Sequence, residues 1–411
     1  MALDPRARYP QKRRMSEIFT GNFTQQESIP DEAIEAALKV LRHGRLHRYN
    51  VAEGELSETA LLEQEFAAQT GAKYSLAVAS GGYALATALR AVGVKPGGKV
   101  LTNAFTLAPV PGSIASVGAE PVFVDVTEDL VIDLEDLQAK ADQAQVLMLS
   151  HMRGHLCDMD RLMQICDAGG IKVIEDCAHT MGASWNGVAS GRHGAIGCYS
   201  CQTYKHVNSG EGGLLITDDE EIAARAIMLS GSYMLYERHL AAPGPEVFER
   251  VKYDTPNISG RMDNLRAAIL RPQLRDLDAQ VARWNARYRV IEQGLQDTPG
   301  LTLTNRPEAE TYVGSSIQFL LLDWGPEQVQ EVLRRCAARG VELKWFGGAE
   351  PVAFTSRYDS WRYAQAQDLP KSDRILSGIV DMRVPLTFGL EDCAQIARII
   401  RAEVGAVFQG G

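Results

Sequence analysis

The sequence predicts an α/β chain, with a mainly parallel, helix-covered sheet in a large domain and a small C-terminal α+β domain. Two rhythms in the sequence carry that expectation. Through residues 74–177 short β-rich runs alternate with helical text, the pattern of strands joined by crossover helices. From about residue 195 consecutive strands replace that rhythm, followed by a long helical region near 263–295 and a strand–helix–strand–helix tail.

In order, helical periodicity covers 31–42, DEAIEAALKVLR, and stops before His43-Gly44. Ser57 is placed to cap ETALLEQEFAAQT, and Gly71 to end it. YSLAVAS (74–80) leads into YALATALRAV, KVLTN (99–103) into a helix around 107–117, and PVFVDV (121–126) into DLEDLQAKA. QVLMLSH (145–151) precedes MDRLMQICDAG, and KVIEDC (172–177) follows it. AIGCYSCQ and GGLLITDD are the consecutive strands; SSIQFLLLD, PEQVQEVLRRCAARG, VELKW and LEDCAQIARIIRAEVGAVF form the tail. A boundary near 280 gives an N-terminal arm (1–30), a large domain (31–280) and a small domain (281–411). The arm opens MALDPRARYPQKRRMSEIF, basic and without the apolar core of a signal peptide, and reads as mobile or partner-crossing.

A chain of 411 residues, 45% hydrophobic and 23% charged, is long for one core, so two domains are expected. The net charge of −10 argues against nucleic acid or anionic membrane as partner. No run approaches the roughly 18–20 apolar residues of a membrane span. Seven cysteines, at 157, 166, 177, 198, 201, 336 and 393, are odd in number and scattered, as in a reduced, cytoplasmic chain. Cys198 and Cys201 form a C-x-x-C, but residues three apart in a strand face opposite ways. His151 and His155 flank a glycine rather than lie on an evident helix. No metal site is expected from either pair.

Ligands of an open α/β sheet gather where strands end and helices begin. Three such junctions stand out. Ser80, Gly81 and Gly82 lie between a strand and a helix, where an anion can meet free amides; a tight turn explains them equally well. Asp176 ends an apolar strand three residues before His179, and serves either a buried cation or a helix cap. Lys205, in SCQTYKHVNSGEGG, stands between Ser200 and Gln202 on one side and Gly210, Gly212 and Gly213 on the other. A lysine, an acidic strand end 29 residues earlier and a phosphate-sized turn together fit pyridoxal phosphate. That cofactor takes a lysine Schiff base, a carboxylate at its ring nitrogen and a phosphate cradle.

On ASGGYAL, GAEPVFVDV, EDCAHTMGASWNG, YSCQTYKHVNSGEGG and RMDNLRAAILRPQL, the chain resembles the DegT/DnrJ/StrS sugar and cyclitol aminotransferases from about residue 30 onward. These are fold type I, pyridoxal phosphate-dependent enzymes, and the text is nearest to the aminocyclitol and 3-amino-5-hydroxybenzoate synthase branch. The resemblance implies that Lys205 holds the cofactor covalently and shuttles the substrate proton, and that Asp176 pairs with the ring nitrogen. It implies that His179 lies near the phenolic oxygen, and that Ser80, Gly81, Gly82, Ser200 and Gln202 surround the phosphate. Arg261 falls in a motif near a dimer interface. Glutamate or glutamine would be the amino donor, a keto-sugar or keto-cyclitol the acceptor, and the protein a homodimer with a shared active site. A lyase, dehydratase or synthase on the same fold, or a catalytically weakened regulator, is the alternative.

Three positions depart from the family pattern. Gly82 replaces a threonine, Leu107 the aromatic residue that stacks on the ring, and Ser259 the asparagine that reaches the neighbouring subunit's phosphate. Asn257 or Phe105 would be the compensating residues. Elsewhere, RHGRLHRY (42–49) reads as a solvated loop or a phosphate contact, Arg153 as a surface ion pair or a substrate-anion contact, and Tyr83 as an aid to cofactor placement. Glu211 reads as a turn-exposed charge or a structural ion pair, and KWFGG (344–348) as a strand and turn in the small domain or part of a loop that closes over substrate.

Overall fold

The computed structural model describes residues 17–410. Its larger sheet has seven strands in the spatial order 74–78, 213–217, 196–200, 172–176, 146–150, 99–103, 120–124. The last five pair in parallel, and 213–217 alone runs against the rest. The strands are buried on both faces because helices cover both, which is why they read as apolar runs without alternation. The local signals are realised as capped helices. Ser57 Oγ accepts the Ala60 amide at 3.1 Å, and Gly71 ends that helix at φ 76°.

The second sheet is antiparallel, in the order 302–303, 316–320, 379–383, 344–345. Helices Leu277–Leu295, Pro326–Ala338 and Leu390–Gly410 supply its apolar cover. Its strand Ile379–Arg383 and the preceding helix Pro370–Gly378 have no counterpart in the sequence expectation, nor do helices Glu220–Ser230 and Pro245–Val251. The helical region 263–295 is two helices, Asn264–Arg275 and Leu277–Leu295, divided at Asp276.

Part of the expected arm lies elsewhere than anticipated. Residues 1–16 fall outside the described residues, but Phe19 and Phe23 are buried in the C-terminal core. Each meets Phe388 edge to face, at 5.0 and 4.9 Å, and the Phe19 amide donates to Arg339 O at 2.8 Å. Two phenylalanines bury enough apolar area to hold an otherwise irregular segment in place.

The stretch 42–49 is exposed as expected at 42–44, 46 and 47, and departs from expectation only at its end, where Arg48 and Tyr49 are buried. Arg48 is fully buried and pairs through both terminal nitrogens with Glu63, at 2.7 and 2.8 Å. Glu63 also accepts the Ala77 amide at 2.9 Å, which ties the loop to the first strand of the sheet. His239 completes the group: Tyr49 Oη donates to its Nε2 at 2.7 Å, and its Nδ1 donates to Glu63 at 3.0 Å. Burial opposes the Glu63 carboxylate, but the Arg48 and His239 contacts outweigh it and hold the carboxyl down to about 2. Glu63→Ala leaves a buried guanidinium without its partner, so a loss of about 3–5 kcal/mol in denaturant-measured stability is expected at pH 7. Because the folded pKa lies below the usual carboxylate value, the wild-type advantage should shrink as pH falls from 4.5 towards 2.

Candidate active site

The parallel register brings the carboxyl ends of several strands to one edge. Ser150 lies opposite Asp176, and Asp176 opposite Cys198, two residues before Ser200. The helix Gly81–Ala91 starts at this edge with Ser80 as its cap, the hydroxyl accepting the Tyr83 amide at 3.1 Å. Gly81 is required by space: a Cβ there would sit 2.8 Å from Ser200 Cβ. Gly213 is equally constrained, since a Cβ would fall 2.3 Å from Ser80 O. The two close approaches leave the first amides of the helix open at the rim of a cavity of about 690 Å³. Ser80, Gly81, Gly82, Leu107, Ser200 and Gln202 line it, with Asp176, His179 and Lys205.

Lys205 is carried by a loop that folds back on itself. The Cys201 amide donates to Gly212 O at 2.8 Å, and the Lys205 amide to Gln202 O at 2.8 Å. Gln202 Oε1 accepts the Tyr204 amide at 2.9 Å, so its side chain helps fix the turn. Lys205 Nζ lies 2.7 Å from His179 Nε2. Burial, reinforced by the Arg153 charge and resisted by Asp176, brings the amine down to about 7. Burial likewise holds His179 well below its usual value, with the Lys205 charge second. The imidazole is therefore neutral, and Lys205 donates to it.

Asp176 has the opposite imbalance. Its carboxylate accepts the Ala178 amide at 3.1 Å and the Ser150 hydroxyl at 3.3 Å, and Ser150 is itself held by Thr106 at 2.8 Å. It forms no ion pair among the described residues, and burial pushes its carboxyl up although the Lys205 charge pulls it down. A carboxylate so placed lacks one cationic donor on its cavity side. A protonated ring nitrogen supplies that donor, and the open amides at Gly81 and Gly82 can donate to a phosphate, so the residues present fit pyridoxal phosphate.

The remaining expected residues divide. Leu107 does line the cavity, whereas Phe105 is buried against Phe346 at a ring separation of 5.1 Å and offers no substitute face. Ser259 is exposed and does not line the cavity; Asn257 lies by Gly231. Arg261 donates to Gly231 O at 2.8 Å with its guanidinium over Tyr233. Tyr83 points away from the cofactor cradle, its hydroxyl donating to Ile258 O at 2.5 Å. Glu211 reaches the cavity rim without an ion-pair partner among the described residues. Arg153 is not at the surface: it is buried, at φ 56°, and donates to Asp381 at 2.7 Å. His151 binds Glu175 at 2.9 Å and His155 binds Gln318 at 2.8 Å, each ring in a separate pair. Cys198 and Cys201 are buried free thiols.

Sequence reasoning missed Arg383 and Phe354, which also line the cavity, together with Lys344 of KWFGG. The signal was faint, a five-residue strand, IVDMR, whose apolar part gives no hint of where its arginine goes.

Gly82 differs from Gly81 in needing no space, because a Cβ there meets nothing within 4 Å. Gly82→Thr should therefore fold normally and add a hydroxyl at the phosphate cradle. Cofactor dissociation, followed by dialysis and absorbance, is expected to slow by about fivefold, the worth of one hydrogen bond of ~1 kcal/mol. Unchanged or faster release would place the cradle elsewhere.

The fold is shared with solved enzymes. The crystal structure of 3-amino-5-hydroxybenzoic acid synthase superposes with a TM-score of 0.79 over 95% of this chain and 100% of that one, at 26% identity. A Micromonospora echinospora protein provisionally named L-glutamine:3-amino-2,3-dideoxy-scyllo-inosose aminotransferase is 32% identical over 68% of this chain and 66% of its own length. The "Pleiotropic regulatory protein" of Geobacillus stearothermophilus is 33% identical over 56% and 58%. The chain thus spans less than two thirds of either curated relative. The mainly parallel sheet and the likeness to 3-amino-5-hydroxybenzoic acid synthase define the class, the aminotransferase fold. Residues 27–401 match the DegT/DnrJ/EryC1/StrS aminotransferase family, and the chain belongs to it.

Proposed function

We propose that this aminotransferase moves an amino group from glutamine or glutamate to a keto-cyclitol or keto-sugar, in two half-reactions at one site. The observation that carries the reading is the Lys205 amine, drawn down to about 7 and 2.7 Å from a neutral His179, in the cavity that Asp176 also lines. Pyridoxal phosphate, when bound, supplies an aldehyde for covalent capture of amines and a ring that withdraws electrons from the adjacent carbon. Lys205 is the residue that holds it, since a partly unprotonated amine is the competent nucleophile. Once displaced, the same amine would carry the proton from the substrate's amine-bearing carbon to the cofactor carbon that keeps the nitrogen, and the reverse in the second half-reaction. Asp176 keeps the ring nitrogen protonated. The helix N-terminus at Ser80–Gly82, with Ser200 and Gln202, binds the phosphate. His179 holds Lys205 in place and, its basicity lowered by burial, leaves the proton to the amine. Leu107 packs on the ring where an aromatic residue would stack.

The reading extends to a cytoplasmic homodimer with a shared active site. Ser259 and the exposed Tyr233, Met234 and Ile258 around it would then face the partner subunit. Within each subunit, residues 31–280 form the cofactor-binding domain and 281–411 the smaller one. The name of the Geobacillus relative, with Gly82 and Leu107, favours as second reading a cofactor-binding regulator without turnover. A donor and acceptor screen on the yellow protein separates the two. Glutamine should bleach the colour and one class of ketone restore it; a colour that excess glutamine and glutamate leave untouched would end the transfer reading.

A further inference from the structure

Arg153 stands where an arginine is costly to place. It lies in the turn Met152–Gly154, after the strand 146–150, at φ 56° and ψ 20°, in the left-handed region that residues with a Cβ rarely adopt. Its side chain is buried, and its Nε has no hydrogen-bond partner among the described residues. A buried cation with an unused donor on a strained backbone is not selected by stability. A chain of contacts nevertheless fixes it. Arg153 Nη2 donates to Asp381 Oδ2 at 2.7 Å, and Gln318 Nε2 donates to Asp381 Oδ1 at 2.7 Å. Gln318 Oε1 lies 2.8 Å from His155 Nε2. Burial holds His155 well below its usual value, so the ring is neutral and donates through that nitrogen. Gln318 and Asp381 face each other across the small antiparallel sheet. Two residues of that sheet therefore clasp a turn of the large sheet at two points, on either side of Gly154. Phe354 covers the guanidinium, 4.7 Å from its ring centre.

The clasp reaches the reacting amine. The turn packs directly on His179, since a Cβ at Gly154 would fall 3.1 Å from His179 O, and His179 Nε2 is 2.7 Å from Lys205 Nζ. Arg153 and Lys205 line the same cavity. After burial, the Arg153 charge is the largest influence disfavouring the Lys205 cation; Arg383, from the small sheet, adds to it, and Asp176, at the end of strand 172–176, opposes it. The other groups facing the amine supply no comparable charge. Burial keeps His179 and His206 neutral, and Tyr204 lies under the Arg383 guanidinium. Glu211, Glu342 and Lys344 line the cavity as well, and Asp381 is engaged by Arg153 and Gln318. We propose that Arg153 is a positioning residue for the transfer reaction: clasped to the small sheet, it holds a fixed positive charge at the cavity, and Lys205 is kept as the free amine only while that sheet is seated. The inference rests on the transfer reading above and names what readies its nucleophile.

The test reads the amine through two colour changes followed against pH. Full-length protein dialysed free of cofactor turns yellow again on adding pyridoxal phosphate. Holoenzyme bleached with glutamine carries Lys205 free until a keto-cyclitol restores the colour. In Arg153→Met both pH midpoints are expected to rise by about one pH unit, the effect of one lost charge nearby, with rates close to wild type at high pH. Arg153→Lys, which keeps the charge, should bring both midpoints back towards wild type. Arg153→Met strands the Asp381 carboxylate, so a second variant combines Arg153→Gly with Asp381→Asn. It leaves no buried acid behind, glycine adopts φ 56° freely, and the same rise is expected. Slower recovery at every pH with unmoved midpoints, or a lysine variant that behaves like the methionine one, overturns the proposal. If the midpoint of cofactor capture moves as expected but glutamine never bleaches the protein, the transfer reading falls and the role of Arg153 towards Lys205 stands.

Discussion

Lys205→Ala is expected to yield a colourless protein with no measurable transfer. The purified wild type should be yellow, because an amine drawn down to about 7 is substantially unprotonated at neutral pH and captures the aldehyde readily. The variant has no such amine, and it also loses the base for proton transfer, a contribution worth about 10²–10⁴-fold by itself. Dialysed wild type should recover its colour faster as pH rises through 7, and level off well below the usual lysine range. The cofactor-free variant should unfold no more readily than cofactor-free wild type at pH 7. In the folded state Lys205 binds protons more weakly than in the unfolded chain, so between about 7 and its ordinary value the group opposes folding, less so as pH rises. Removing it relieves that opposition. Retained colour and turnover would show that the reacting amine is another one.

Asp176→Asn should separate binding from catalysis. The amide keeps the size of the side chain, its oxygen still accepts the Ala178 amide and its NH2 can donate to the Ser150 hydroxyl instead of accepting from it, so the protein is expected to stay yellow. It cannot hold a proton on the ring nitrogen, and turnover should fall by about 10²–10³-fold, the usual cost of removing one preorganised electrostatic contact. KM for glutamine should move little, since Asp176 acts on the ring and not on the donor's carboxylate. Single-turnover absorbance traces would measure this directly, and a variant that bleaches with glutamine at the wild-type rate would refute the role.

Much of the site was legible in the sequence because its parts are local. A serine-glycine pair between a strand and a helix, an acid closing an apolar strand and a lysine before three glycines are each short-range signals. The parallel register then aligns strand ends without further instruction. Leu107 lines the cavity, and Phe105, two residues earlier, does not: neighbours two apart at the exit of a strand face different surroundings, and Phe105 went to the core against Phe346. The loop 42–49 read as solvated because basic text usually is. Most of it is, and the burial of its end, Arg48 and Tyr49, depends on Glu63 and His239, 15 and 191 residues from Arg48, partners that no local pattern announces.

By itself, the sequence determined the alternating architecture, the capped helices and the three junctions from which the cofactor site is built, since each follows from periodicity and backbone chemistry over a few residues. Only the tertiary structure decided which charges are left without partners. Arg153 and Arg383 stand 230 positions apart, and which of them Asp381 neutralises depends on how the small antiparallel sheet packs over the cavity. Electrostatic pairing acts through space over a few ångströms, so it is fixed by the fold and not by order along the chain.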